Sequence, residues 1–320
     1  MEKERMKFFI SGAFMLLVLF FVPVACSSDK ATEQKDSPTF GRLKVGIDES
    51  YTLLAEAEVY AFEALYKNAV IDTVFKPEAD LINDFMNDSL QLILVSRTLT
   101  EAEESYLRER QFNPRTTKVA VDAVAFILNR DNPDTTFFYK NIRDIFQGKI
   151  TRWDQIRPGS DLGGIRVVFD HYKSANPRYL KEKFSVDSFP ATCSAARNNR
   201  EVIDFVEKNR NAIGVISVNW ISDPQDTVSH NFLKRFRVAG IAIEGDNNPD
   251  TRFYKPYQGN IHRGSYPFTR GVYFINRQTY SGLAYGFSAF VAGEKGQYIM
   301  LRSGMVRSEE RRVGKECRSR

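Results

Sequence analysis

The sequence has few of the residues that build disulfide and metal sites. Among its 320 residues there are only three cysteines and three histidines. Cys26, Cys193 and Cys317 are odd in number and far apart, which argues against a disulfide framework. The histidines are scattered, and no cysteine and histidine have the spacing of metal ligands. We therefore expect neither a structural metal nor a cofactor.

A strong charge of one sign is also missing. The formal net charge is +5, but residues 1–25 carry +1 and residues 307–320 carry +3, which leaves about +1 for residues 26–306. Nucleic-acid binding requires a strongly basic face, so no nucleic-acid partner is expected. The high aromatic content, 13%, is typical of a globular chain. The length of 320 residues leaves room for one large or two ordinary domains.

The apolar stretch near the N-terminus is too short for a convincing transmembrane helix. It covers residues 8–22, follows a charged region and ends at Pro-Val-Ala before Cys26, which is the layout of a secretory signal over residues 1–25. Small residues before this cysteine resemble the lipobox of bacterial lipoproteins, which implies cleavage before Cys26 and lipidation of its thiol. Plain secretion with an incidental cysteine is the alternative. Residues 26–40 are polar and predict a flexible tether.

The last residues differ abruptly in composition from those before them. Residues 307–320 have no amphipathic period and look like a translated sequencing adapter. We expect this tail to be non-native, with native sequence stopping at Val306; a solvated basic tail is the alternative.

One apolar run organises the rest of the chain. Residues 118–129 are rich in β-branched side chains and suit a strand that is buried on both faces. Asp122 interrupts this run, and a carboxylate in such a strand must be paired, hydrogen-bonded or directed into a cleft. We interpret the run as a strand that crosses between two lobes, with Asp122 near the crevice. An ordinary central strand with Asp122 at its exposed end is the alternative.

Strand and helix patterns alternate on both sides of this run, as in parallel sheets with helical crossovers. The first helix is predicted over residues 52–68, with one inward face formed by Leu54, Ala57, Ala61 and Leu65. A strand over residues 238–244 is predicted to return the chain to the first lobe. These patterns place lobe 1 at residues 41–121 and 240–306, and lobe 2 at residues 122–239.

Three loops are expected to meet where the strands end, which is where open α/β folds bind ligands. They cover residues 48–51, 96–97 and 170–176. The outer two open helices, whose first amide groups suit a small anion. Hydroxyl groups of Ser50 and Ser174 are candidate donors, and Arg97 is a candidate clamp for two oxygens. The alternatives are helix capping for the serines and a salt bridge for Arg97.

Several stretches in order resemble one family. They are residues 95–101, 119–125, 141–153, 211–215 and 264–270. Over residues 43–306 the chain is similar to the phosphate-binding proteins of bacterial phosphate ABC importers, which are type II periplasmic binding proteins. The resemblance implies an α/β fold of two lobes, each a mostly parallel sheet flanked by helices. It also implies a monomeric, lipid-anchored protein in the periplasm or on the cell surface, which captures a small anion, phosphate first, for an ABC permease.

The family's ligand site maps onto a defined set of residues here. The expected ligand-binding residues are Ser50, Tyr51, Ser96, Arg97, Asp122, Asp170, His171, Ser174, Ala175 and Asn176. Three departures from the family add negative charge or remove backbone freedom: the first loop has Asp48 and Glu49, Asp170 replaces an arginine, and Ala175 replaces a glycine. Residues 266–270 are predicted to be structural.

Two other functions follow from the same residues. The added carboxylates also fit a surface or periplasmic lipoprotein that senses or scavenges another polar solute without an ABC transport role. The order Asp170, His171, Ser174 is compatible with a hydrolase. Because the sequence has neither a Gly-x-Ser-x-Gly elbow nor a zinc motif, we expect no enzyme.

Overall fold

The computed structural model describes residues 36–221, 234–246, 248 and 250–308. Its strands are β1 Gly41–Asp48, β2 Ala69–Lys76, β3 Leu92–Val95, β4 Arg115–Asn129, β5 Thr136–Phe137, β6 Arg166–Phe169, β7 Cys193–Ala195, β8 Ala212–Ser217, β9 Phe236–Val238, β10 Gly240–Ile241, β11 Thr269–Asn276 and β12 Val306–Arg307. Its helices are α1 Thr52–Leu65, α2 Glu78–Met86, α3 Glu101–Glu109, α4 Tyr139–Phe146, α5 Ala175–Phe184, α6 Asn199–Lys208, α7 Gln258–His262, α8 Leu283–Val291 and α9 Glu294–Arg302.

The strands form a mixed sheet in the order β2-β1-β3-β11-β4-β8-β6-β7. One half, which we call lobe 1, has β1 parallel to β2 and β3, followed by antiparallel β11. The other half, lobe 2, has β6 parallel to β7 and β8. Helices pack against both halves, and the buried apolar side chains lie between the layers. The predicted two-lobed α/β architecture is therefore confirmed.

Strand β4 passes through both halves, as the apolar run predicted. Residues 115–123 pair with β11, and residues 124–128 pair with β8. The change of partner falls next to Asp122, which is fully buried within the strand. The alternative of a central strand with Asp122 at its exposed end is therefore wrong.

The inward face of α1 differs from the predicted face. Its buried residues are Leu54, Ala55, Glu58 and Phe62, whereas Leu65 is 45% exposed. Phe62 provides the reason, because its ring packs edge-on against the rings of Phe287 and Phe290, each at 5.3 Å. This aromatic contact sets the rotation of the helix and brings Glu58 into the core.

Two other segments differ from their predictions. The expected strand over residues 238–244 is replaced by β9, which pairs with β4, and β10, which pairs with β5. Both β9 and β10 lie beside elements of lobe 2, so the prediction that this segment returns to lobe 1 is wrong. The strand that joins the lobe 1 sheet is β11. Residues 36–40 do not behave as a tether, because Asp36 accepts hydrogen bonds from the Tyr280 hydroxyl at 2.6 Å and the Leu283 amide at 2.8 Å.

Most residues at the two ends of the chain lie outside the described ranges. The predicted signal peptide, Cys26 and the first part of the predicted tether lie outside the described residues, as do residues 309–320 of the tail. Arg307 was predicted to be the first residue of the non-native tail; it lies in β12 and pairs with Ala120 of β4. Within the described ranges, no helix has the length and apolarity to cross a membrane.

Candidate functional site

The first wall of the site is the end of β1. Asp48 and Ser50 are fully buried, and the Ser50 amide donates to Asp48 Oδ1 at 2.7 Å. Asp48 therefore caps the short 3-10 turn Glu49–Tyr51 that precedes α1. Ser50 therefore does not cap the helix, which was the alternative role predicted for it. Its hydroxyl group and Asp48 Oδ2 have no hydrogen-bond partner within the described part of the chain.

Asp122 is the centre of the second wall. Its Oδ2 accepts from the Tyr51 hydroxyl at 3.2 Å and from Arg270 Nε at 2.9 Å, while its Oδ1 accepts from the Ser217 hydroxyl at 2.8 Å. These partners lie at the start of α1, on β11 and at the end of β8, so Asp122 joins both lobes. All four side chains are buried, and both oxygens of Asp122 have hydrogen-bond donors.

Arg270 lies opposite Asp122 in the register of β11 and β4. Its side chain is 2% exposed, and its Nη2 is 2.9 Å from Asp122 Oδ2. That contact lacks the alignment of a hydrogen bond, so Nη1 and Nη2 both remain without a hydrogen-bond acceptor among the described residues. Desolvation acts to lower the pKa of Arg270, but Tyr51, Asp122 and Asp48 act in the opposite direction and the net pKa is raised. The guanidinium therefore stays charged.

The third wall is the loop after β6 in lobe 2. Asp170 is fully buried and accepts from the hydroxyl of Ser174. The side-chain amides of Asn176 and Asn199 also donate to it, at 3.4 and 3.5 Å. Ser174 is the N-cap residue of α5, yet its side chain makes no capping hydrogen bond. The loop is therefore organised around Asp170 and not around the helix amides.

Several polar atoms at these walls are buried and lack a hydrogen-bond partner in the described ranges. We call them the orphan atoms: Asp48 Oδ2, Glu49 Oε2, Ser50 Oγ, Asn176 Oδ1, Asn199 Oδ1, both side-chain amide atoms of Asn219 in the turn Val218–Trp220 that follows β8, and Arg270 Nη1 and Nη2. Buried polar groups without partners cost free energy, so a concentration of them indicates a place that is completed by something else. The set includes both donors and acceptors.

Negative charge accumulates around these atoms. Burial, followed by the charge of Glu78, raises the pKa of Asp48 to about 7. Burial also raises the pKa of Asp170. Asp48 and Asp170 interact electrostatically with each other and with Arg270, although they belong to different lobes. The site therefore pairs one buried guanidinium with carboxyl groups that take up a proton more readily than usual.

The lobes are in contact around this site. The Trp220 ring nitrogen, at the end of β8, donates to the Ser50 carbonyl oxygen at 3.0 Å. The Ala79 amide donates to the Lys173 carbonyl oxygen at 3.1 Å. Lys173 Nζ also lies 2.9 Å from Asp80 Oδ1. The structure is thus a closed arrangement, with the cleft residues covered from both sides.

Some predicted residues do not reach the orphan atoms. Arg97 donates to both carboxylate oxygens of Glu103, at 2.7 and 2.8 Å, at the start of α3. The salt bridge that was the alternative for Arg97 therefore forms in this structure, and its role as a ligand clamp stays a prediction. The amide and hydroxyl of Ser96 both donate to Glu78 at 2.8 Å. Glu78 is a lobe 1 residue that the sequence did not single out.

In this structure Ser174 and His171 are not paired as a nucleophile and its base. The Ser174 hydroxyl donates to Asp170 and not to His171. His171 Nδ1 accepts instead from the Lys173 amide at 3.1 Å. A base that activates a serine must lie within hydrogen-bond reach of it, so these residues lack the arrangement of nucleophile and base. Ala175 and Asn176 follow as the first, buried residues of α5.

Arg270 is the main site residue that the sequence reasoning missed. Residues 266–270 were predicted to be structural, and part of that holds, because the Tyr266 hydroxyl donates to the Val124 carbonyl oxygen at 2.7 Å. The available signal was the period of β11. Arg270 shares the buried face of the strand with Val272 and Phe274. An arginine in that register must be paired or directed into a cleft.

The fold and the cleft define a class: two α/β lobes that close over a small polar site. A model of the PBP superfamily domain matches residues 27–295. The chain belongs to this family.

Two curated relatives are about one-fifth identical to this chain over the aligned residues. The phosphate-binding protein PstS of Staphylococcus epidermidis is 21% identical over 179 residues, or 56% of this chain. The matched part is 51% of that relative, so the chain spans about half of its length. The phosphate-binding protein PstS of Pseudomonas aeruginosa is 22% identical over 293 residues, with 85% of each chain covered.

Solved structures give the same fold. A putative phosphate ABC transporter substrate-binding protein with bound phosphate, from Clostridium perfringens, aligns with a TM-score of 0.70 at 20% identity, covering 84% of this chain and 100% of that one. An ABC-type phosphate transport receptor from Vibrio cholerae aligns with a TM-score of 0.63 at 18% identity and the same coverage.

Proposed function

We propose that the chain is an extracytoplasmic solute-binding protein that holds one small oxyanion, phosphate first, between its lobes and delivers it to an ABC importer. One observation carries the proposal. The buried guanidinium of Arg270 keeps two nitrogens without acceptors among the described residues, at a site shared by both lobes. A planar guanidinium donates to two oxygens of one oxyanion at once.

The remaining orphan atoms supply complementary contacts for such a ligand. The Ser50 hydroxyl and the Asn219 amide nitrogen are donors that suit oxyanion oxygens. Asp48 Oδ2 is an acceptor, and a carboxylate beside an anion is favourable only if the anion brings a proton to share. Hydrogenphosphate carries such a proton at neutral pH and sulfate does not. The carboxyl groups therefore favour phosphate over sulfate.

Isothermal titration calorimetry of the purified full chain tests this proposal. We expect heat on titration with phosphate, much weaker binding of sulfate and none of chloride. Arg270→Gln should weaken phosphate binding by about 100-fold, because it removes a charged bidentate donor. Arg97→Gln is the matched control, since Arg97 pairs with Glu103 away from the orphan atoms. No phosphate heat, or equal loss in both variants, would contradict the proposal.

The excess of acidic groups favours one second candidate. Asp48, Asp122 and Asp170 face a single unsatisfied guanidinium, which also fits a polar solute with more donors than phosphate has. Such a protein would sense or scavenge that solute without an ABC transport role. Thermal-shift measurements across oxyanions, sugars and amino acids separate the two candidates. A shift with phosphate alone rejects the second, and a shift with a neutral solute alone rejects the first.

The anchor and the location are part of the proposal and rest on the N-terminal sequence. Cleavage before Cys26 and lipidation of its thiol would fix a monomeric protein to a membrane on its periplasmic or outer face. Mass spectrometry of the protein from its native membrane should show diacylglycerol mass on Cys26. Cys26→Ser should release the protein into the soluble fraction, whereas retention in the membrane would contradict the anchor.

A further inference from the structure

A second group of buried polar residues joins the lobes beside the proposed ligand site. Glu78 is the first residue of α2 in lobe 1 and is 1% exposed. One carboxylate oxygen accepts from the amide and hydroxyl of Ser96, both at 2.8 Å. The other accepts from Nε of Arg178, which belongs to α5 of lobe 2. Glu78 is thus fixed within lobe 1 and is completed by lobe 2.

The guanidinium of Arg178 is engaged at each of its three nitrogens. Its Nε donates to Glu78, its Nη2 donates to the Ser96 hydroxyl at 2.8 Å, and its Nη1 donates to Glu182 at 2.7 Å. These partners are protein oxygens on both sides of the cleft. Arg178 is therefore used for contact between the lobes, in contrast to Arg270, whose Nη atoms lack acceptors in the described ranges.

The electrostatics favour the closed arrangement. Burial acts to raise the pKa of Glu78, but Arg178 and Ser96 outweigh it and the net pKa is lowered. Ser96 and the N-terminus of α2 both belong to lobe 1, so their interactions with the Glu78 carboxylate do not require contact with lobe 2. Closure then adds charge-assisted hydrogen bonds to a group that is already oriented. Opening breaks these bonds and separates the charges.

We propose that Glu78, Ser96 and Arg178 form an interlobe latch that holds the two lobes closed and so positions Ser50 and Arg270 for the ligand. The three residues act on affinity through closure and not through contact with the ligand. The effect on phosphate affinity rests on the proposed function, whereas the effect on closure does not. The latch can therefore be rejected without rejecting phosphate binding, and phosphate binding without rejecting the latch.

The chain contains its own probe of closure. It has two tryptophans. Trp220 is 5% exposed and donates across the cleft to Ser50, so opening of the lobes uncovers it. Trp153 is fully buried and donates to the Asn211 carbonyl oxygen at 3.0 Å, a contact within lobe 2 that opening does not change. Acrylamide quenching of tryptophan fluorescence therefore reports opening through Trp220.

The experiment compares the wild-type full chain with Arg178→Gln, Glu78→Gln and the double variant, without added anion and then with phosphate. Each variant should show stronger quenching than wild type in the absence of anion. If the closed fraction falls to about a tenth, the apparent Kd for phosphate rises about tenfold. Asp80→Asn is the matched control, because its pair with Lys173 also joins the lobes but is solvent-exposed. Asp80→Asn should change neither the tryptophan quenching nor the apparent Kd for phosphate appreciably.

The possible results separate three situations. Wild-type quenching in Arg178→Gln would overturn the latch. Unchanged quenching with lost phosphate binding would also overturn it, because Arg178 would then contact the ligand. Stronger quenching in a series where no protein binds phosphate supports the latch and rejects phosphate as the ligand. Circular dichroism checks folding, and Arg178→Lys, which keeps the charge but not the fork, replaces any variant that does not fold; it should give intermediate quenching.

Discussion

Asp122 and Glu58 are both buried carboxyl residues, yet their surroundings are opposite. Asp122 accepts hydrogen bonds from a tyrosine, a serine and an arginine at the junction of the lobes. Glu58 is 2% exposed on α1, and neither of its carboxylate oxygens has a partner in the described part of the chain. It borders a small apolar cavity lined by residues that include Ile47, Leu94 and Phe287. Burial alone raises the pKa of Glu58 to about 9.

This difference separates a buried carboxyl group that the fold uses from one that it tolerates. Hydrogen-bond partners fix the position of a buried carboxylate, so the Asp122 network defines the geometry of the cleft. The Glu58 carboxyl group has no partners among the described residues and is neutral at ordinary pH, so it fills space in the core without fixing the position of any other group. Burial by itself is therefore a poor guide to function, and the polar partners decide.

Asp122→Ala should produce the largest effect. It leaves the Arg270 guanidinium buried without its counter-ion, which costs about 3–5 kcal/mol in the free energy of unfolding. Urea denaturation measures this loss, and calorimetry should show no phosphate binding. Adding Arg270→Met should recover part of the stability without recovering binding. Wild-type stability of Asp122→Ala would show that the network is as dispensable as Glu58.

Glu58→Met should stabilise the protein, by about 2 kcal/mol, because it replaces a carboxyl group without partners by an apolar side chain of similar size. The folded state keeps the Glu58 proton up to about pH 9, while the unfolded chain releases it near its ordinary, lower pKa. Wild-type stability therefore falls as pH rises through that window, by at most about 1.4 kcal/mol per unit.

The control for this pH dependence is Glu56→Gln, because Glu56 is an exposed residue on the same helix. Thermal unfolding from pH 5 to pH 9 should show a flatter profile for Glu58→Met and an unchanged profile for Glu56→Gln. A steeper loss of stability in Glu58→Met at high pH would contradict the assignment. Phosphate affinity should stay the same in both variants, since Glu58 lies within the core of lobe 1.

Asp48→Asn tests the intermediate case, a carboxyl group with one satisfied oxygen and one orphan atom. The amide loses the acceptor that takes the proton of hydrogenphosphate. We expect the preference for phosphate over sulfate to narrow by about tenfold, or about 1.4 kcal/mol. Competition titrations with both anions measure this ratio. An unchanged ratio would assign the discrimination to Asp170 instead.

The surroundings of the buried charged residues also show which of them could be predicted from the sequence. Asp122 was predictable because a single carboxylate interrupted an apolar strand, and the crossing of β4 followed from the α/β units on either side. Arg270 was missed because it lies at the start of β11, within a stretch whose neighbour Tyr266 has a packing role. Arg97 could not be assigned from the sequence, because a side chain just after a buried strand reaches a ligand or a neighbouring helix with equal ease. Only the position of Glu103 in space, as part of the capping box of α3, decides between them.

Arg97→Ala should have the smallest effect, and it tests directly whether Arg97 serves the salt bridge with Glu103 or the ligand. Arg97 and Glu103 are about one-fifth exposed, and such partly solvated pairs contribute about 0–1 kcal/mol. Phosphate affinity should remain that of wild type, since Arg97 does not contact the orphan atoms. Calorimetry and thermal unfolding, with Glu103→Gln as the partner variant, measure both quantities. A large loss of affinity in Arg97→Ala alone would return Arg97 to the ligand site and imply that it leaves Glu103 when the ligand binds.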